Sequence, residues 1–484
     1  MGQGGGAANG GDRLMNFSVL RRQFATTALL ACTIASLSST APAHAQQGSA
    51  LSIAPVPHMP IAGDFSFAAV GDLIYLRPML ATIEKQSPDM LRILRDADVT
   101  FGNFETTALD LATFKGSPQA ESGGTWMLAD PAVPADVAGM GIDIVGHANN
   151  HATDWGVEGM MDTLALLDAA HLVHAGTGRS MTAARAPEYL DAPQGRVGLV
   201  SATTTFTPMS SAADPLGKVP GRGGANTIRK TEVGLVSDAD LAMLGRIAGT
   251  KEGGPVKISG RIYRATPNPA TPMQIGYDLN VGDRQANLLS VRQASQNGNF
   301  TVFSLHNHEP SNASQTPADF APSLAHDAID AGADVFVGHG PHQLRGIEIY
   351  KGKPIFYSLG NFAMMNNSLD DVPADMYDQF GVKPGTVTTP ELLQARNAKE
   401  FSDPNLYETV IALSQYKDGA LTRILLYPVD LGVNATGAAR GVPHMADAVT
   451  GARILERLQR LSKPFGTQIS VEKGVGIIRV SAAR

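Results

Sequence analysis

The chain has 484 residues, 43% apolar and 17% charged, with 51 Gly, 30 Pro and a single Cys, which excludes a disulfide scaffold, a collagen-like fibre and a disordered polyanion. Net charge is -7, with Lys and Arg dispersed along the chain. No nucleic-acid-binding surface is expected, and an anionic substrate has to be held by local cations.

Residues 1–45 read as an export signal. Arg21-Arg22-Gln23-Phe24 precedes an apolar run over 25–37, and Ala43-His44-Ala45 supplies the small-x-small pattern of a signal-peptidase site. The run is too short and too rich in Ser and Thr to serve as a permanent anchor of ~20 residues, so no transmembrane anchor is expected. The arginine pair suits a twin-arginine signal as well as the basic start of a Sec signal, and both stay open. Met15 is an alternative start, since residues 1–14 carry no structural pattern. Cleavage after Ala45 removes Cys32, and with it disulfides, thiolate zinc sites and a cysteine nucleophile. The competing reading is a lipoprotein, because Leu29-Leu30-Ala31-Cys32 resembles a lipobox that leaves Cys32 as an acylated anchor. Both readings place the protein in the periplasm or at the cell envelope.

A linker over 46–64 leads into one layered α/β domain over 65–484, where short apolar runs alternate with amphipathic stretches. Residues 65–70, 99–101, 142–145, 197–203, 300–305 and 335–337 read as buried strands, and 157–170 and 317–331 as helices. Residues 347–350 and 355–358, joined by Lys351-Gly352-Lys353-Pro354, read as a hairpin. The stretch from about 205 to 295 is rich in Gly, Pro, Asn and Arg and reads as an insertion able to reach over a site. About 364–404 is polar and unpatterned, in the manner of a loop or lid. The strand pattern resumes at Tyr407 and turns at Lys417-Asp418-Gly419. A helix over 446–461 and two further strands complete the sheets.

Polar residues fall where these strands end. Gly71-Asp72 follows the first, Gly102-Asn103-Phe104-Glu105 the second and Asn149-Asn150-His151 the third; His306-Asn307-His308-Glu309 and His339-Gly340-Pro341-His342 follow two later ones. Each has a plainer reading: a turn at Gly71-Asp72 and at Gly340-Pro341, a helix cap at Asn149 or Asn150, a solvated pair at His306 and His308. Five independent turns all choosing Asp, Glu, Asn or His would be a coincidence. In layered α/β folds the carboxyl ends of strands converge on one crevice. The set suits one or two divalent ions with oxygen and nitrogen ligands, Mn, Fe or Zn. Such ions hold an anionic oxygen and acidify a water for attack on phosphorus or a carbonyl carbon.

These motifs resemble those of the CapA family of poly-γ-glutamate capsule synthesis proteins, within the calcineurin-like metallophosphoesterase superfamily. The resemblance runs from about residue 65 to the C-terminus. It is carried by Gly146-His147-Ala148-Asn149-Asn150-His151, by the run from Gly338 through His342 to Gly346-Ile347-Glu348-Ile349-Tyr350-Lys351-Gly352-Lys353, and by Phe356-Tyr357-Ser358-Leu359-Gly360-Asn361-Phe362. It implies a metallophosphoesterase-like, four-layer αββα sandwich with the motif loops at one edge. It further implies Asp72 as the first metal-binding Asp, Glu105 in place of the bridging carboxylate, Asn150 as a ligand and His151 as the acid that protonates the leaving group. His306 and His339 resemble the later histidine ligands, and His342 adds to them three positions on, where the superfamily spacing is two.

Two departures stand out. Ile74 takes the place of the superfamily's first-motif His, and Asn307-His308 replaces a Trp-Gly pair, so His308 is a candidate compensating ligand or substrate contact. Arg77 and Arg345 are candidates for clamping a phosphate or polymer carboxylate, with a solvated arginine as the plainer reading. Asn103 and Asn149 are further candidate substrate contacts. The resemblance implies an exported, metal-dependent hydrolase or transferase acting in synthesis, tethering or trimming of an anionic envelope polymer such as poly-γ-glutamate, with polymer-synthesis proteins as partners. A periplasmic phosphoesterase for small phosphoesters and a non-catalytic polymer-binding or assembly factor are the alternatives.

Overall fold

Two β-sheets face each other across a shared apolar layer in the computed structural model, which describes residues 58–484 except 120–124, 251–254, 267–271, 366–368 and 481–484. The export-signal, twin-arginine and lipobox readings lie outside the described residues.

The first sheet has ten strands, with Asp64–Ile74 near its centre. On one side it pairs in parallel with Val99–Asn103, followed by Ile144–Gly146 and Val173–Ala175. On the other side Glu408–Lys417, Ala420–Asp430, Val475–Arg479 and Ser470–Glu472 continue it antiparallel. The short strand Asn361–Met364 joins the carboxyl end of Asp64–Ile74 in parallel. In the six-stranded second sheet, Gly195–Thr203, Phe300–His306, Val335–His339 and Lys353–Phe356 run parallel, between the antiparallel edges Glu188–Ala192 and Ile347–Tyr350.

Side-chain alternation explains the layering. Along the first strand Phe65, Phe67 and Ala69 point into the layer between the sheets, where they meet Phe101, Phe300, Val302, Val337 and Phe356; Ala68 and Val70 face outward. Each fully buried Phe there stabilises the fold by about 1.5–3 kcal/mol. Outside the ten-stranded sheet lie helices Pro88–Arg95, Val133–Gly139 and Gly156–Ala169, which contribute Met90, Leu94, Val137 and Leu167. Helices Val281–Asn297 and Phe320–Ala331 cover the other sheet with Val291, Leu324 and Ile329. The order helix, sheet, sheet, helix is the expected αββα sandwich. The interior strands read as continuous apolar runs because both of their faces are covered.

Several local expectations change. Ile61 is buried in the inner layer, so the linker's last residues pack against the sandwich. Residues 205–295 contain a four-stranded sheet, ordered Val256–Ile258, Arg261–Ala265, Lys230–Val236, Gln274–Leu279. The stretch ends, however, in a helix of the sandwich itself. That helix, Val281–Asn297, buries Asn287, Ser290 and Ser295 beside its apolar residues, which blurs the helical period. The polar stretch 364–404 holds helices Ala374–Gln379 and Thr389–Glu400, the second opened by a Thr388–Glu391 capping box. Isolated Leu369, Met376, Leu392 and Leu393 anchor it to the outer apolar cluster. The hairpin turns through Lys351 (φ 51°) and Gly352 (φ 77°), the left-handed pair of a type I′ turn.

Candidate metal centre

Parallel pairing sets the motif residues level with one another. Asp72 lies in register with Asn103 and with Asn361, and Asn103 with Gly146. In the other sheet His306 is in register with Thr203 and His339. The loops leaving these strands therefore start at one edge of the sandwich. Two glycines permit the close approach. A Cβ on Gly71 would sit 1.8 Å from the Gly360 carbonyl oxygen, the same oxygen that accepts the Asp72 N–H at 2.9 Å. Gly340 turns the chain between His339 and His342 at φ 111° and donates its N–H to Asp72 Oδ2 at 3.1 Å.

Three overlapping triads have ligand atoms within 4.8 Å of one another: Asp72, His306 and His339; Glu105, His306 and His308; and Asp72, Glu105 and His342. Asp72 is central. Its Oδ1 lies 3.7 Å from His339 Nδ1 and 3.9 Å from His306 Nδ1, and its Oδ2 lies 3.6 Å from His342 Nδ1. His306 Nε2 points the other way, 3.8 Å from Glu105 Oε1. All these groups are buried except His308, which is half-buried.

The electrostatics follow from that burial. For Asp72, burial favours the neutral acid, but the nearby imidazoles of His342, His306 and His339 outweigh it and hold the carboxyl well below the usual range. Glu105 shifts the other way. Burial, then the charge of Asp72, push it well above its usual value. Burial lowers His306 well below its ordinary value, takes His339 down to about 4 and, helped by His342, takes His308 down to about 3. The imidazoles are thus neutral near pH 7 and present lone pairs.

This donor set fits a divalent cation. His306 Nδ1 and His339 Nδ1 stand 3.0 Å apart, as do His306 Nε2 and His308 Nε2, so acceptors crowd together with few hydrogens between them. Glu105 Oε1 has no hydrogen-bond partner among the described residues. Outer groups hold the rings, with Ser304 Oγ 2.7 Å from His339 Nε2 and Asn361 Oδ1 3.0 Å from His342 Nδ1. Such bracing is the usual support of a metal-binding histidine. Oxygen and imidazole ligands without sulfur suit Mn, Fe or Zn.

The other candidates separate into groups. Asn150 is fully buried on the loop between Asn149 and His151. His151 Nδ1 lies 2.7 Å from Asp154 Oδ2, which also accepts the Met127 N–H at 2.7 Å. Asp154 was not apparent as a site residue in the sequence; its signal is the three-residue spacing from His151. Asn103 and Asn149, expected at the substrate, are fully buried and committed to the protein. Asn103 Nδ2 donates to Asp72 Oδ1 at 2.8 Å, and Asn149 Nδ2 to the Phe104 carbonyl at 2.8 Å. Arg345, expected as an oxyanion clamp, is likewise buried; it donates to Asn307 Oδ1 at 3.3 Å, the Ser314 carbonyl at 3.2 Å and the Ser311 carbonyl at 3.3 Å. Arg77 turns away to Met79 Sδ and the Ala438 carbonyl. Ile74 sits in the outer apolar cluster and supplies no ligand.

Residues 66–366 match the family model described as bacterial capsule synthesis protein PGA_cap. The uncharacterized protein y4sH of Sinorhizobium fredii is 42% identical over 436 residues, covering 86% of this chain and 93% of that protein. The PGA biosynthesis protein CapA of Bacillus subtilis is 28% identical over 307 residues, 61% of this chain and 62% of its own length. The capsule biosynthesis protein CapA of Bacillus anthracis is 25% identical over 315 residues, 64% of this chain and 62% of its own.

Proposed function

The chain belongs to the PGA_cap family of bacterial capsule synthesis proteins, the CapA family, and from that premise we propose that it acts on an anionic cell-envelope polymer such as poly-γ-glutamate, in its synthesis, tethering or trimming, by metal-dependent hydrolysis or transfer. The observation that carries this reading is the convergence of Asp72, Glu105, His306, His339 and His342 from two sheets onto one buried cluster. With Asn150, these residues would hold the metal. When bound, a divalent ion there supplies Lewis acidity toward a phosphoryl or carbonyl oxygen.

The chain's own residues supply the rest. Asp154 fixes the His151 ring through Nδ1, leaving Nε2 to carry a proton and release it to the leaving atom. Asn103 orients Asp72. Export through residues 1–45 would bring this site to the polymer, and among the described residues no helix is long and apolar enough to cross a membrane.

The test assays protein supplied with Mn or Zn against poly-γ-glutamate and against nitrophenyl phosphoesters. The expected result is metal-dependent release of γ-glutamyl fragments, abolished by Asp72→Ala and strongly reduced by His151→Ala. Turnover of phosphoesters alone would replace this reading with a small-substrate phosphoesterase. Polymer binding without turnover would replace it with an assembly factor.

A further inference from the structure

His306 offers two ring nitrogens, and each faces a different part of the cluster. Nδ1 looks toward Asp72 and His339, Nε2 toward Glu105 and His308. The second group holds two unexplained features, the Glu105 oxygen without a hydrogen-bond partner among the described residues and a histidine in a loop position.

The His308 ring is not free to wander. Its Nδ1 lies 2.7 Å from Asn312 Oδ1, an acceptor that places the ring hydrogen on Nδ1 and the lone pair on Nε2, facing His306 Nε2 at 3.0 Å. Its backbone N–H donates to Thr205 Oγ1 at 3.0 Å. Thr205 Oγ1 in turn donates to the Glu309 carboxylate at 3.0 Å, and Thr204 Oγ1 donates to it at 2.7 Å. The opposing charge comes from outside the sandwich: Lys230, at the start of the inserted sheet, places Nζ 2.7 Å from Glu309 Oε1 and 2.6 Å from the Thr204 carbonyl. Both partners are largely buried.

We propose that His308 is a metal ligand, completing with Glu105 and His306 a cation position, and that Lys230 is a positioning residue which reaches it through Glu309 and Thr205. The inserted sheet then has a stated part in the site. The inference rests on the metal-binding reading above and goes beyond it in assigning the ligand and its brace.

The test is metal binding by titration calorimetry and the visible spectrum of the Co2+-loaded full chain, for the wild type, His308→Ala, His308→Gln, Lys230→Arg and the double variant Lys230→Met/Glu309→Gln. The double variant removes both buried charges together and so leaves neither unpaired. Thermal unfolding of each metal-free variant confirms that it folds. The expected result is at least about tenfold weaker Co2+ binding and an altered spectrum in both His308 variants, about 10–100-fold weaker binding in the double variant, and near-wild-type binding in Lys230→Arg. Unchanged affinity and spectrum in the His308 variants, with a wild type that binds Co2+, would overturn this inference alone. A wild type that binds no metal would overturn it together with the metal-dependent reading.

Discussion

Asp72 and His339 belong to different sheets, yet Asp72 Oδ1 and His339 Nδ1 lie 3.7 Å apart at the edge of the sandwich. The cluster they form spans the two sheets, so a bound ion would tie them together. Asp72→Ala or His339→Ala should empty the site. At metal concentrations of 100 times Kd the wild type should gain about 2.7 kcal/mol, and chelator should remove that gain. A thermal shift series with and without chelator reads this, and a wild type indifferent to both metal and chelator would contradict it.

Acid should destabilise the metal-free protein. The unfolded chain takes up protons on its histidines near pH 6.5, whereas in the folded state burial holds His339 down to about 4 and His147 and His308 down to about 3. The unfolded state therefore binds more protons in that interval, and stability falls as pH drops from about 6.5 toward 4, by about 1.4 kcal/mol per unit for each such group. Glu105, raised by burial, acts in the opposite sense as a single group. Urea midpoints of chelator-treated protein at pH 7.5, 5.5 and 4.5 should decline in that order, and a flat series would show that these imidazoles are not buried neutral.

His151 and Asp154 make a separable prediction. Both are buried, their 2.7 Å contact orients the ring, and neither belongs to the metal-ligand triads. His151→Ala should lower turnover about 10²–10⁴-fold with bound metal unchanged. Asp154→Asn should also lower turnover and displace the pH profile, because the ring loses its fixed tautomer. Metal loss in His151→Ala would place this residue among the ligands.

Arg345 distinguishes a structural arginine from a substrate clamp. Its guanidinium is buried and held near the loop from Asn307 to Ser314, with burial lowering its pKa to about 10. Arg345→Ala leaves that loop's carbonyl groups without donors and should cost roughly 2–4 kcal/mol of stability, read by urea denaturation. A raised KM with unchanged stability would instead restore the clamp.

Much of this site is legible in the sequence because its chemistry is local. An apolar run followed by Gly-Asp, by Asn-x-Glu or by His-Gly marks a strand that ends at a polar edge, and the ligand types exclude sulfur chemistry. Asp154, Ser304 and Asn312 were hidden because each acts on a side chain that only folding brings near or turns toward it. The two helices within 374–400 were hidden too, since a few scattered apolar residues anchor them and no period announces them.

From the chain alone came the strand pattern, the ligand inventory and the family resemblance, all of which depend on residue type and short spacing. Only the tertiary structure decided which candidates meet. Parallel pairing set Asp72 level with Asn103, and His306 level with His339, and packing turned Arg345 inward and Arg77 away. Burial direction and strand register are fixed by contacts between segments tens to hundreds of residues apart, and no local stretch of sequence contains them.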